Sequence, residues 1–138
     1  MSKIVAVSGN FDPVHKGHIR LFRDAWKLGD ELIVILARDD QVMKKKGYVF
    51  MSYEERKEIL QSIRWVHEVV ENIDADISSC KSLAKYQPNI YAHGGDLLDK
   101  EHLIETDICH KLGIEIIVGV GGSNKEQSSS KLIERVRK

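Results

Sequence analysis

The chain has 138 residues, which is room for one domain of ordinary size. Hydrophobic residues make up 42% and charged residues 30%, a soluble globular composition that excludes disordered, collagen-like and coiled-coil classes. Lys plus Arg and Asp plus Glu each number 21, so the formal net charge is zero; a globally basic nucleic-acid binder is excluded, but a local site for a small anion is not.

The predicted elements alternate strand and helix. Residues 3–7 form a short β-branched run that ends in Ser8-Gly9-Asn10. A helix is predicted from near Gly17, with Ile19, Phe22, Ala25, Trp26 and Leu28 on one face, stopping at Gly29. Residues 31–37 hold a continuous apolar run of the kind buried in a parallel sheet. Residues 38–51 read as a loop. Ser52 stands three residues before Glu55, the signature of a capped helix running through Ile63. A strand over 66–70, a weaker helix over 79–86 and a strand over 89–92 follow. Then come His93-Gly94-Gly95-Asp96, a helix over 101–112, a strand over 115–120, the break Gly121-Gly122 and a closing helix over 128–138. This order predicts an α/β fold, a single doubly wound, Rossmann-like sheet of about five parallel strands flanked by helices. Ligands of such sheets bind beyond the carboxyl ends of the strands.

No apolar run approaches the roughly 18 residues of a membrane span, and Gly9 breaks the first apolar run too early for a signal peptide. A cytoplasmic location with no membrane partner is therefore expected. Cys80 and Cys109 lack a CxxC partner, so neither a disulfide framework nor a protein-built metal site is expected, and both read as buried apolar-type residues. Trp26, Trp65 and Phe22 read as core. His67, His102 and His110 have no evident chemical partners.

The unusual residues follow the first strand: Gly9-Asn10-Phe11-Asp12-Pro13-Val14-His15-Lys16-Gly17-His18. Two histidines three apart, across a glycine, open a helix. A helix N-terminus carries partial positive charge and unpaired N–H groups, which suits phosphate. Gly17 permits close approach to the backbone, and both imidazoles can donate N–H groups to one phosphate. Asp12 suits either ordering of this loop or contact with an acceptor. Six specified positions at about one in twenty each give roughly one chance match in several hundred thousand chains of this length.

Gly9-x-Phe11-Asp12-x-x-His15-x-Gly17-His18 resembles the signature of the HxGH nucleotidyltransferase superfamily, whose members move a nucleoside monophosphate from a nucleoside triphosphate to an acceptor, usually a phosphate, and release pyrophosphate. Tyr53-Glu54-x-Arg56-Lys57-x-Ile59-Leu60 with Ile63-Arg64-Trp65-Val66-x-Glu68-Val69 is similar to the glycerol-3-phosphate cytidylyltransferase branch. So are Gly95-Asp96 and Ser128-Ser129-Ser130-Lys131. The chain departs from that branch at Ser123-Asn124-Lys125-Glu126-Gln127, where an arginine and a glycine are missing and Lys125 could supply the lost charge. Asn10 with Pro13 is similar to a form found in adenylyltransferases of cofactor precursors.

The resemblance implies a single nucleotidyltransferase domain over residues 1–138 that binds a nucleoside triphosphate and a small phosphorylated acceptor. Cytidylyl transfer from CTP to a glycerol-3-phosphate-type alcohol is the first expectation. Adenylyl transfer from ATP to a sugar phosphate of the heptose type or to a cofactor precursor is the alternative, and a non-catalytic nucleotide-binding module is a further one. An acceptor phosphate oxygen is already a nucleophile at pH 7, so the work is alignment and charge stabilisation. His15 and His18 would hold the triphosphate and the α-phosphate in the transition state, with Lys46 and Arg64 as further catalytic cations. Gly9, Asn10, Phe11, Gly17, Gly95, Asp96, Ser128, Ser129 and Ser130 would meet the nucleotide. Asp12, Lys44, Lys46, Arg56, Arg64 and Lys125 would meet the acceptor or its phosphate, Arg56 and Arg64 lying on one face of a helix. Magnesium is expected with the triphosphate, near Asp12, and self-association as a homodimer is implied.

Overall fold

The computed structural model describes residues 2–76, 78–94 and 103–121. The predicted closing helix, and with it Gly95, Asp96, Lys125, Ser128, Ser129 and Ser130, lies outside the described residues. Five parallel strands form one sheet in the order β3-β2-β1-β4-β5. They are β1 (Ile4–Gly9), β2 (Glu31–Leu36), β3 (Glu68–Glu71), β4 (Ile90–Ala92) and β5 (Glu115–Ile117). The helices are α1 (Lys16–Trp26), α2 (Asp39–Lys46), α3 (Tyr53–Gln61), α4 (Cys80–Tyr86) and α5 (Thr106–Leu112).

Strand periodicity sends alternate side chains to opposite faces. Val5, Val7, Leu32, Val34, Leu36, Val69, Ile90 and Ala92 pack on one face with Phe22 and Ala25 of α1 and Leu60 of α3. Ala6, Ile33, Ile35, Tyr91 and Ile116 pack on the other with Leu83 of α4 and Cys109 of α5. The two faces are what the unbroken apolar run of β2 requires, since a strand buried on both sides has no side left for polar residues. The chain winds from β1 outward to β3, then returns to the other side of β1 for β4. That reversal falls between β1 and β4, and the carboxyl ends of the strands at such a reversal are the position at which these sheets take ligands.

Some boundaries differ from the sequence reading. Residues 39–46, read as loop, are helical: α2 has a polar sequence, and its buried side holds Gln41 and Val42. Helix α3 ends at Gln61 rather than Ile63, so Arg64 is not on a helical face shared with Arg56. Strand β3 begins at Glu68 rather than Val66, with the His67 amide donating to Leu32 O just ahead of it. Trp26 is 42% exposed and therefore not core. Trp65 is half-buried, with the Arg64 guanidinium over its ring. Cys109 is buried as expected, whereas Cys80 is only half-buried, and both are free thiols. No helix among the described residues is long and apolar enough to cross a membrane.

Candidate active site

The loop from β1 to α1 is built by its own signature residues. Phe11 has a left-handed backbone (φ 48°), uncommon for a bulky side chain. Its ring is paid for by packing: it meets Phe22 edge-on at 5.2 Å and His18 edge-on at 4.9 Å. A Cβ on Gly9 would stand 2.9 Å from Phe11 Cζ, so only glycine lets this ring lie across the strand end. Phe11 is 4% exposed, and its side chain belongs to the core.

His15 is the N-cap of α1. Its Nδ1 accepts the Gly17 amide at 3.1 Å, and its own amide donates to His18 Nδ1 at 3.2 Å. The two imidazoles thus form a reciprocal capping box, satisfying two of the helix's unpaired N–H groups. A Cβ on Gly17 would stand 2.9 Å from His15 Cε1. The glycine therefore makes space for the His15 ring, where the sequence suggested space for a ligand. The caps also set the chemistry. An Nδ1 that accepts an N–H carries no proton, so each neutral ring holds its proton on Nε2, turned away from the backbone. The rings stack at 3.7 Å with planes 23° apart. No acidic residue stands in the first turn of α1 to oppose an anion.

Asp12 takes the loop-ordering role. It is fully buried, and its Oδ2 and Oδ1 accept the amides of Phe50 and Met51 at 2.7 and 2.6 Å. It is not placed as an acceptor contact. Lys46, the last residue of α2, donates from Nζ to Asp12 O at 3.2 Å, which brings its ammonium to the signature loop. Burial pulls the Lys46 pKa below the ordinary lysine value, with the Asp12 charge pulling it partly back. Lys44 points elsewhere, toward Ala75 O at 3.5 Å.

Arg56, expected at a phosphate, is placed inside the fold. Its side chain is fully buried, with Nη1 donating to Asn10 O and Ala37 O at 2.8 Å each and Nε to Met51 O at 3.0 Å. Nη2 pairs with Asp39 at 2.7 Å. One guanidinium thus ties the β1–α1 loop, the end of β2, the start of α2 and the 47–51 segment together. Arg64 is exposed and precedes β3, at the opposite end of the sheet from the histidines; the structure does not bring it to this site. Gly9, Asn10, Gly17, His15, His18 and Lys46 are brought together.

Sequence reasoning missed the braces around the site. Arg38 donates to the carbonyls of Asn72 and Asp74, and Gln41 Nε2 to Asn72 Oδ1, Asp74 O and Asp76 O, so α2 holds the loop after β3. Under β1, Ser8 Oγ and Tyr91 Oη lie 2.6 Å apart, and Tyr91 reaches Glu105 at 3.3 Å. Burial pushes up both the Tyr91 hydroxyl and the Glu105 carboxyl. None of these side chains sits in a motif with a spacing that sequence could expose. His93 ends β4 beside this group, its ring 6.4 Å from Tyr91.

Magnesium finds no protein cage here. Among the described residues no cluster of three His, Cys, Asp or Glu side chains could hold a metal ion, and both Asp12 oxygens are committed to amides.

This arrangement offers ring N–H donors at a helix N-terminus and one ammonium bonded to the same loop, groups whose chemistry suits phosphate. The known proteins it resembles agree. The FAD synthase of Ferroglobus placidus is 38% identical over 141 residues, covering 99% of this chain and 88% of that protein. The FAD synthase of Pyrococcus horikoshii is 37% identical over 135 residues, covering 96% and 90%. Mouse ethanolamine-phosphate cytidylyltransferase is 36% identical over 89 residues, 64% of this chain and 22% of that protein. The crystal structure of a lipopolysaccharide core biosynthesis protein from Thermoplasma volcanium superposes with a TM-score of 0.71 at 25% identity, covering 86% of this chain and 94% of that one. The sequence profile described as cytidylyltransferase-like matches residues 6–135. With the profile spanning nearly the whole chain, the protein is a nucleotidyltransferase and belongs to the cytidylyltransferase-like family.

Proposed function

We propose that the chain transfers AMP from ATP to FMN, forming FAD and pyrophosphate. The observation that carries this reading is the breadth of the likeness to FAD synthases, 96–99% of the chain for the two compared above, against 64% for the cytidylyltransferase. The closing segment supports it, since Ser123–Gln127 lacks the arginine and glycine of the glycerol-3-phosphate branch. The alternative of a cofactor precursor as acceptor is thus favoured over the alcohol phosphate.

In this reaction a phosphate oxygen of FMN forms a bond to the α-phosphorus of ATP. The bond from that phosphorus to the bridging oxygen breaks, and its electron pair leaves with pyrophosphate. The Nε2–H groups of His15 and His18 donate to the phosphate oxygens on which charge builds, with no reorganisation because the caps already hold the rings. Lys46 offsets the charge of the acceptor phosphate, which otherwise repels the triphosphate. Magnesium brought by the triphosphate and a homodimer belong to this reading as the resemblance implies them, and a cytoplasmic setting as the sequence led us to expect.

A second reading, CTP with an alcohol phosphate, is favoured by the similarity of residues 53–69 to the glycerol-3-phosphate branch. Incubating the protein with ATP or CTP, each with FMN, glycerol 3-phosphate and phosphoethanolamine, separates the two by chromatography. FAD from ATP and FMN supports the proposal. A CDP-alcohol with no FAD overturns it.

A further inference from the structure

Resting on the flavin reading above, we infer that the Phe50 ring is the platform on which the flat ring of the acceptor stacks, with Lys46 beside it taking the acceptor's phosphate. The segment between α2 and α3 shows an aromatic ring to solvent where a small enzyme has reason to hide one: Phe50 is 52% exposed. Among the described residues the other exposed Phe or Trp is Trp26. Trp26 is the last residue of the 11-residue α1, about 15 Å along the axis from the histidine end.

Phe50 is exposed but not loose. Its amide and the next one are bonded to the two oxygens of the fully buried Asp12 carboxylate. The pinned backbone fixes the point from which the ring projects, and the ring is open to solvent. The same Asp12 accepts Lys46 Nζ through its carbonyl oxygen, so the ammonium and the ring are both indexed to the histidine loop through one residue. Met43, 49% exposed, lies one turn before Lys46 on α2 and adds a further apolar surface to this side of the sheet. On the β4 side the described residues past the strand ends are His93, Gly94, Val118, Gly119, Val120 and Gly121, with no exposed Phe or Trp.

FMN is a phosphate joined to a planar, largely apolar ring by a short polar chain. A cation and an open aromatic face, both fixed to the phosphate-binding loop, match that pairing. A ringless alcohol phosphate would use the lysine and leave Phe50 wet. Phe50 is thus a binding and specificity residue for the acceptor, and it does not touch the reacting atoms.

The test compares wild type, Phe50→Ala, Phe50→Trp and, as a control at the far end of α1, Trp26→Ala. Expected results are a KM for FMN raised about tenfold by Phe50→Ala, in the range of aromatic stacking, with the KM for ATP changed by less than about twofold. Phe50→Trp should keep FMN affinity and, on titration with FMN alone, quench flavin fluorescence more than wild type does, because indole donates electrons to an excited flavin. An unchanged FMN KM in Phe50→Ala, equal rises for FMN and ATP, or no added quenching by Phe50→Trp overturns the inference. Failure of the wild type to make FAD appears before any variant is compared. It removes the flavin reading itself, so the two failures are told apart.

Discussion

Replacing Asp12 with Asn tests whether this buried carboxylate is a strut or a substrate contact. Both oxygens accept backbone amides, at 2.7 and 2.6 Å, and the side chain is fully buried. Asparagine keeps one acceptor and turns its NH2 toward the other amide, so one N–H is left facing a donor. Losing a hydrogen bond to a charged group costs about 1.5–3 kcal/mol, and the orphaned amide adds to it. The neutral side chain is cheaper to bury, which offsets part of that. The net loss should be about 3 kcal/mol, or roughly 10 °C in Tm for a domain of this size. Urea unfolding followed by far-UV circular dichroism reads it directly, and the folded fraction at low temperature should keep measurable turnover. A variant that unfolds at the wild-type midpoint while losing all turnover would show that the carboxylate acts on substrate or ion, and the strut assignment would fail.

Three further outcomes follow from the same geometry. His18→Ala should lower kcat/KM by about 10²–10³, the scale for one donor to a developing oxyanion, while the lost cap costs only about 1 kcal/mol; an active variant would remove His18 from the chemistry. Arg56→Lys keeps the charge but loses the planar fork that serves Asn10 O, Ala37 O, Met51 O and Asp39, so a fall in unfolding free energy of about 2–3 kcal/mol is expected, and an unchanged urea midpoint would contradict it. Lys46 has a lowered pKa through burial, so it loses its charge as pH rises at a pH below that of a free lysine. The KM for FMN should therefore climb on the alkaline side, Lys46→Arg should move that limb to higher pH, and identical profiles would show that the ammonium does not face the acceptor.

The sheet was legible because its strands are written in one alphabet: β-branched and aliphatic runs such as residues 31–37, bounded by glycines and polar turns. The signature loop was legible because six positions had to coincide. What was hidden is directional. Asp12 and Arg56 were visible as residues but not as inward-facing ones, because their partners are backbone amides and carbonyls that any sequence possesses. Helix α2 escaped because its buried side includes Gln41, whose amide bonds Asn72, Asp74 and Asp76; an apolar-period search cannot see a helix anchored by a glutamine. Arg64 was misplaced because an end of α3 only two residues earlier takes it off the helical face.

The reciprocal histidine cap has a consequence for transplanting this chemistry. A catalytic pair is usually an addition to a fold that would stand without it. Here the hydrogen bonds that start α1 are the ones that orient the imidazoles, and the glycine between them is the cavity for one ring. The stretch from Gly9 to His18 thus carries the cap, while Phe22, Arg56 and the Phe50 and Met51 amides hold the loop ahead of it. Grafting the chemistry onto another strand end should therefore require the stretch together with these supports, and moving the two histidines alone would move neither ring orientation nor tautomer.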